Sequence, residues 1–456
     1  MLELFSSGLV SAWLEMAGVN LTQADTLSLL VGPGIPGFVW PGGTHAIADR
    51  TLEQYLSQLA ARGLSPESQG IWLQTTQGKL LVNHQGNIPR SAASITKVAT
   101  SLAALSTWGP QHQFHTEVAI SGSVVGDVLE GDLVIVGGND PLFVWEEAIA
   151  LGFALNRWGI RKVTGNLVIT SLRLRSVTTR FWMNYQSDPQ KSGELLKQAM
   201  NSDLWSADIT AIYQKMWSLS GVEVQSVAPT PKPQVEIAGQ VVLSGEPIAN
   251  TTPIIRHHSL PLTELLKRMN IYSNNAMAEM LATALGGSAV VEKIAAREAG
   301  VPPEQIQLIN GSGLGQENRV SPRAACGLFM AIQNYVRSDQ MNIGDLFPIA
   351  GRDGGTLEDR NIPPGSVVKT GTLWNVSALG GVLPTRDRGL VWFAILNGGG
   401  DDIWGFRDGQ DRLLQELSQQ WGLPSSSPPE ITRHPPSNQE LNRLGDPSRN
   451  QLLVGS

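Results

Sequence analysis

Three short groups of residues in this chain carry side chains able to break an amide bond. In Ser94-Ile95-Thr96-Lys97 a hydroxyl and an amine stand three positions apart. On a helix that spacing puts their Cβ atoms about 5–6 Å apart on one face. A serine hydroxyl is a weak nucleophile near neutral pH and needs a base within hydrogen-bond reach. Lysine fills that role only when burial or a second cation lowers its pKa. Ser91 to Ser94 have the small and hydroxyl residues of a helix start, and Val98, Leu102 and Leu105 follow at helical spacing, so one stripe should face a core. Ser94 would then lie near the positive end of the helix, where backbone N–H groups stabilise developing negative charge. Taken alone, an N-cap serine followed by a solvated lysine is the simpler account of this pair.

The second group is Ser273-Asn274-Asn275, in the connection between two helical stripes. One stripe contains Leu262, Leu265, Leu266 and Met269; the other contains Met277, Met280, Leu281 and Ala284. Capping alone would explain a serine and an asparagine there. The third is Lys369-Thr370-Gly371-Thr372, where Val367 and Val368 predict a strand and Gly371 permits close approach of another backbone or a ligand.

The elements that must hold these groups follow from periodicity. Leu52, Tyr55, Leu56 and Leu59 predict a helix ending near Gly63, and residues 70–74 and 79–82 a hairpin around Gln77-Gly78. After Lys369, strands over 377–383 and 390–397 form a meander, and a core-facing helix spans Asp411 to Trp421. Between Trp108 and Leu260 the texture changes to short strand patterns, with a helix near 145–158 and a helical interval over 190–219. The organisation expected is an N-terminal segment (1–45), a catalytic domain in two pieces (46–112 and 255–423), a β-rich inserted domain (113–254) and a disordered Pro/Ser-rich tail (424–456).

Composition narrows the classes. With 41% hydrophobic and 16% charged residues the chain has the balance of a soluble globular protein. A net charge of −7 without a Lys/Arg run argues against nucleic acid. The single cysteine, Cys326, excludes an internal disulfide and a cysteine-based zinc site. No apolar run reaches membrane-spanning length, and Glu3 and Glu15 sit where a secretory signal would be basic.

In this order the three groups resemble the active-site set of penicillin-binding proteins and serine β-lactamases. Accessory stretches, GDLVIVGGNDP (131–141), NGSGL (310–314), AGRDGGTL (350–357) and KTGTL (369–373), are similar to the D-alanyl-D-alanine carboxypeptidase/endopeptidase branch, the class C low-molecular-mass penicillin-binding proteins. The resemblance covers about residues 50–420. It implies an α+β transpeptidase-like domain, a five-stranded antiparallel sheet flanked by helices, split by an insertion after the first motif. Two features depart from the family. The interval from Lys97 to Ser273 is shorter than in members with two inserted domains, and Asn310 stands where Asp is common.

The resemblance further implies a mechanism and a location. Ser94 is the nucleophile on peptidoglycan stem peptides, with Lys97 its base and Lys369 a second cation lowering the Lys97 pKa. Ser273 relays a proton, and Asn275 holds the substrate amide. The backbone N–H groups of Ser94 and Thr372 form the oxyanion hole, and Thr370 and Thr372 hold the substrate carboxylate beside Gly371. It implies no metal or cofactor, β-lactams as acylating inhibitors, and a periplasmic or cell-envelope location. Carboxypeptidase and endopeptidase action both remain open. So do a non-catalytic peptidoglycan-binding homologue and a serine β-lactamase, although intact motifs weigh against the former. His112, His115, His257 and His258 lack convincing metal partners, and the scattered tryptophans read as packing.

Overall fold

The computed structural model describes residues 45–171, 173–174, 177–219, 231–434 and 443–453. The expectation for the first 44 residues lies outside them. A five-stranded antiparallel sheet has the order Val367–Leu373, Val376–Thr385, Gly389–Gly398, Gly70–Thr75, Leu80–His84. Its central strands are apolar on both sides. Trp392, Ala394 and Leu396 face one core, while Val391, Phe393 and Ile395 face another. A sheet covered on both faces needs such continuous apolar runs, and the alternation assigns successive residues to opposite layers.

One layer contains the helices His45–Ala61 and Ile403–Trp421, which contribute Tyr55, Leu59, Phe406, Leu413 and Leu414. The other contains Thr96–Trp108, Leu262–Ile271, Asn275–Leu285, Ser288–Ala299 and Pro322–Val336. The C-terminal helix starts earlier than its apolar stripe implies, at Ile403 rather than Asp411. Asp402 caps it by accepting the Gly405 N–H at 2.9 Å.

The segment between the first and second motifs builds seven strands of a second, eight-stranded sheet. Its spine is the hairpin His115–Val125 and Val128–Val136, flanked by Thr252–His258 and, in parallel, by Leu167–Thr170. The helices Trp145–Trp158 and Pro189–Met200 cover it. The described part of the C-terminal tail corrects the expectation of disorder. Ile431 is 1% exposed, and Asn450–Leu452 adds an antiparallel strand to Thr252–His258. Backbone pairing holds a strand whose composition has little to bury. The buried Arg449–Glu147 ion pair, 2.5 Å, fixes the same segment.

Candidate active site

The helix that follows Ser94 does not begin as the sequence suggests. A 3₁₀ turn, Ala93–Ile95, precedes the α-helix Thr96–Trp108, and no side chain caps it. Ala93 has φ 45°, a left-handed conformation that costs an L-residue about 1–2 kcal/mol. Two glycines make room for this turn. A Cβ on Gly313 would lie 1.8 Å from the Ala93 carbonyl oxygen, and one on Gly371 would lie 2.9 Å from the Ser94 nitrogen. The Lys369 strand and the 310–314 loop therefore close on Ser94 from two directions.

Lys97 is fully buried. Its Nζ lies 2.9 Å from Ser94 Oγ and donates to Asn275 Oδ1 and to the Ser312 carbonyl, each at 2.7 Å. A neutral amine has two N–H groups and one lone pair. The two carbonyl-type acceptors use both N–H groups, leaving the lone pair for the Ser94 hydroxyl proton. Burial lowers the Lys97 pKa to about 7, opposed by the negative charge of Glu279. Of the two expected causes, burial and a second cation, burial is the one that acts on Lys97. Burial, and then the charge of Lys97, hold the Lys369 pKa well below the usual lysine value.

Lys369 is also fully buried; it donates to Ser273 Oγ at 3.0 Å and to the Thr370 carbonyl at 2.7 Å. Ser273 has φ 51° in the tight connection between the helices Leu262–Ile271 and Asn275–Leu285. The capping explanation of this motif fails for both flanking residues. Asn274 is the N-cap, accepting the Met277 N–H at 3.0 Å, which frees Ser273 and Asn275 for the two lysines. Ser94, Lys97 and Asn275 thus form one hydrogen-bonded group and Ser273 and Lys369 a second, with Gly371 against the Ser94 backbone. Thr370 is buried beside it, and exposed Thr372 accepts a hydrogen bond from Arg407 Nη2 at 2.9 Å.

Sequence reading missed three participants. The Ser312 contact is a backbone carbonyl, with no side-chain signature beyond the NGSGL stretch itself. Glu279, one helical turn after Asn275, accepts the Gly311 and Ser312 N–H groups at 3.2 and 2.9 Å and so aims that carbonyl at Lys97. Arg407 lies on the part of the C-terminal helix that periodicity left out, with its guanidinium 5.1 Å from the Trp404 ring. Asn310 has a local explanation. Its Oδ1 accepts the Gly313 N–H at 2.9 Å and its Nδ2 donates to the Leu314 carbonyl at 2.6 Å, a donor that an ionised Asp lacks.

Known proteins share this fold. The model of the D-Ala-D-Ala carboxypeptidase 3 (S13) family matches residues 50–184 and 197–419. The D-alanyl-D-alanine carboxypeptidase DacB of Haemophilus influenzae is 23% identical over 406 residues, 71% of this chain and 83% of that protein. The D-alanyl-D-alanine carboxypeptidase of an Actinomadura species is 24% identical over 413 residues, 71% of this chain and 76% of that protein. Among solved structures, a penicillin G-acylated predatory endopeptidase of Bdellovibrio bacteriovorus superposes with a TM-score of 0.68 at 21% identity, covering 84% of this chain and 99% of that one. Penicillin-binding protein 4 of Haemophilus influenzae gives 0.57 at 20% identity, covering 80% and 99%. With all three motifs converging on Ser94 and the family model spanning both halves of the catalytic fold, the chain belongs to the D-Ala-D-Ala carboxypeptidase 3 (S13) family.

Proposed function

We propose that this chain is a serine-type D-Ala-D-Ala carboxypeptidase acting on peptidoglycan stem peptides through an acyl-enzyme on Ser94. The observation that carries this reading is the valence of Lys97. Two acceptors occupy its N–H groups, a hydroxyl faces its lone pair, and its pKa is about 7. A base poised near the working pH combines adequate neutral fraction with adequate basicity.

Ser94 Oγ attacks the carbonyl of the penultimate D-alanine as its proton passes to Lys97 Nζ. The oxyanion forms against the backbone N–H groups of Ser94 and Thr372. The proton held by Lys97 reaches the leaving amine through the Ser273 hydroxyl, which Lys369 fixes. The C–N bond breaks, and D-alanine leaves. Water, deprotonated by Lys97, then attacks the ester and restores the Ser94 hydroxyl. Asn275 orients both Lys97 and the substrate amide, and the Thr370 and Thr372 hydroxyls hold the terminal carboxylate, with Arg407 adding positive charge at Thr372. A cell-envelope, periplasmic location follows from this substrate; among the described residues no helix is long and apolar enough to cross a membrane.

The test is D-alanine release from a synthetic stem pentapeptide ending in D-Ala-D-Ala, beside Lys97→Met. Release by the wild type and loss with the variant is the expected result. A folded wild type that releases nothing from this peptide but cleaves a cross-linked muropeptide dimer would move the activity to endopeptidase.

A further inference from the structure

A cavity of about 280 Å³ opens in the inserted domain, and none of its lining residues belongs to the three motifs. Its walls come from the helices Trp145–Trp158 and Ala207–Ser218 and from the C-terminal segment that precedes Asn450–Leu452. The helix Ala207–Ser218 has apolar residues at 209, 212, 213, 216 and 217, yet it buries only Ile209 and Tyr213. Ile212, Met216 and Trp217 stay half-buried, so its apolar face is wider than its cover. The rings of Phe153, Tyr213 and Trp217 stand in a row along the cavity, with successive centroids 6.4 and 6.2 Å apart. The Tyr213 hydroxyl donates to the Pro231 carbonyl at 2.6 Å, so the polar tip of that row is already satisfied. The wall opposite is seated firmly. Glu147 Oε1 accepts the Gly445 N–H at 3.1 Å and Arg449 Nη2 at 2.5 Å, and a Cβ on Gly445 would meet Met216 Cε at 2.3 Å.

Charge decides what such a cavity would take. Its lining contains two cations, Arg157 and Arg443, and no carboxylate. Arg443 is engaged, donating to the Leu219 carbonyl at 2.8 Å and to Asp446 Oδ2 at 3.4 Å. Arg157 is exposed, and among the described residues its guanidinium has neither an ion pair nor a hydrogen bond. It follows Phe153 by four positions and so shares its side of the helix. Its place in the last helical turn accounts for a cation, but not for the aromatic cavity beside it. We propose that this cavity binds a small monoanionic amphiphile, one short apolar chain or ring bearing a single carboxylate. The apolar part lies against Phe153, Tyr213 and Trp217, and the carboxylate meets the planar fork of Arg157. An apolar concavity with one convergent charge is the usual form of a small-molecule site, and this one is too small for the paired acyl chains of a phospholipid. Because Leu444 belongs to the C-terminal segment, the bound ligand bridges that segment to the inserted domain and favours the folded chain by mass action.

The experiment titrates octanoate and octanamide, which share a chain and differ in charge, into the full chain by calorimetry. Octanoate should bind once per chain and about tenfold more tightly than octanamide, a preference that salt weakens. It should also raise Tm with increasing concentration. Arg157 is exposed, so its replacement leaves the fold intact. Arg157→Gln should bring the two ligands to equal affinity, Arg157→Lys should return part of the preference, and Trp217→Ala should weaken both ligands alike. No saturable binding of octanoate, equal binding of the two ligands to the wild type, or a preference that survives Arg157→Gln would overturn the inference. D-alanine release from the stem pentapeptide reads the proposed function separately, and neither of its results bears on this site.

Discussion

Two fully buried lysines in the same half of the molecule are handled in opposite ways. Lys267 Nζ meets three acceptors, the carbonyls of Gly344 and Phe347 at 2.9 and 2.5 Å and Asp353 Oδ2 at 2.7 Å. Three acceptors, one of them a carboxylate, match the three N–H groups of an ammonium. Lys97 has two acceptors and a hydroxyl, and the nearby carboxylate, Glu279, is spent on backbone N–H groups instead of pairing with it. Burial lowers both pKa values, but at Lys267 the Asp353 carboxylate directly opposes the shift. On the proposed mechanism a buried lysine becomes a base because its counter-ion is kept one contact away. Local strain accompanies that arrangement, since Ala93, next to Ser94, and Ser273 itself adopt positive φ.

The contrast can be broken most severely from the structural side. Asp353→Ala leaves Lys267 buried without its counter-ion and should cost about 3–5 kcal/mol of stability. Thermal unfolding measures that loss, while the folded fraction should still be acylated by penicillin at the wild-type rate. Lys97→Met should do the reverse, leaving Tm unchanged or raised while acylation disappears. Next in size is Gly371→Ala, whose new Cβ would fall 2.9 Å from both the Ala92 oxygen and the Ser94 nitrogen. Displacing the nucleophile's backbone by a fraction of an ångström should slow acylation about a hundredfold, read by stopped-flow with a chromogenic β-lactam.

The pH dependence sharpens the same comparison. Lys97 must be neutral to take the Ser94 proton, so the acylation rate should fall about tenfold per pH unit below about 7 and level off above it. The stability sign is also fixed. The unfolded chain holds the Lys97 proton up to its ordinary pKa of 10.5, so the burial penalty is complete below about 7 and fades as pH rises toward 10.5. The smallest expected effect is that of Asn310→Asp. It removes the donor to the Leu314 carbonyl and should cost about 1 kcal/mol in thermal unfolding, with little change in acylation rate.

Much of the catalytic half was legible because its signals are periodic or chemically distinctive. The 70–84 hairpin, the meander after Lys369 and the Ser273 connection all stand where the alternation and helical stripes put them. The unread part was carried by backbone and by context. Nothing in the residue types marks the Ser312 carbonyl as a lysine acceptor, and Glu279 acts through two amides. The C-terminal helix hid its first two turns because Gly405 and Gly409 weaken the pattern there. The tail looked unfoldable by composition, yet Asn450–Leu452 needs only ladder hydrogen bonds to join a sheet. Burial and a second cation both stood open as causes of the Lys97 shift because burial at a single position cannot be read from spacing alone.

The central claim is that Ser94 is activated by Lys97, and intact-mass spectrometry after incubation with a penicillin tests it most directly. The account predicts one covalent adduct per chain, mapping to the peptide that contains Ser94, absent from Ser94→Ala and strongly diminished in Lys97→Met. A folded wild-type chain that remains unmodified, or an adduct that persists in Ser94→Ala, would contradict it.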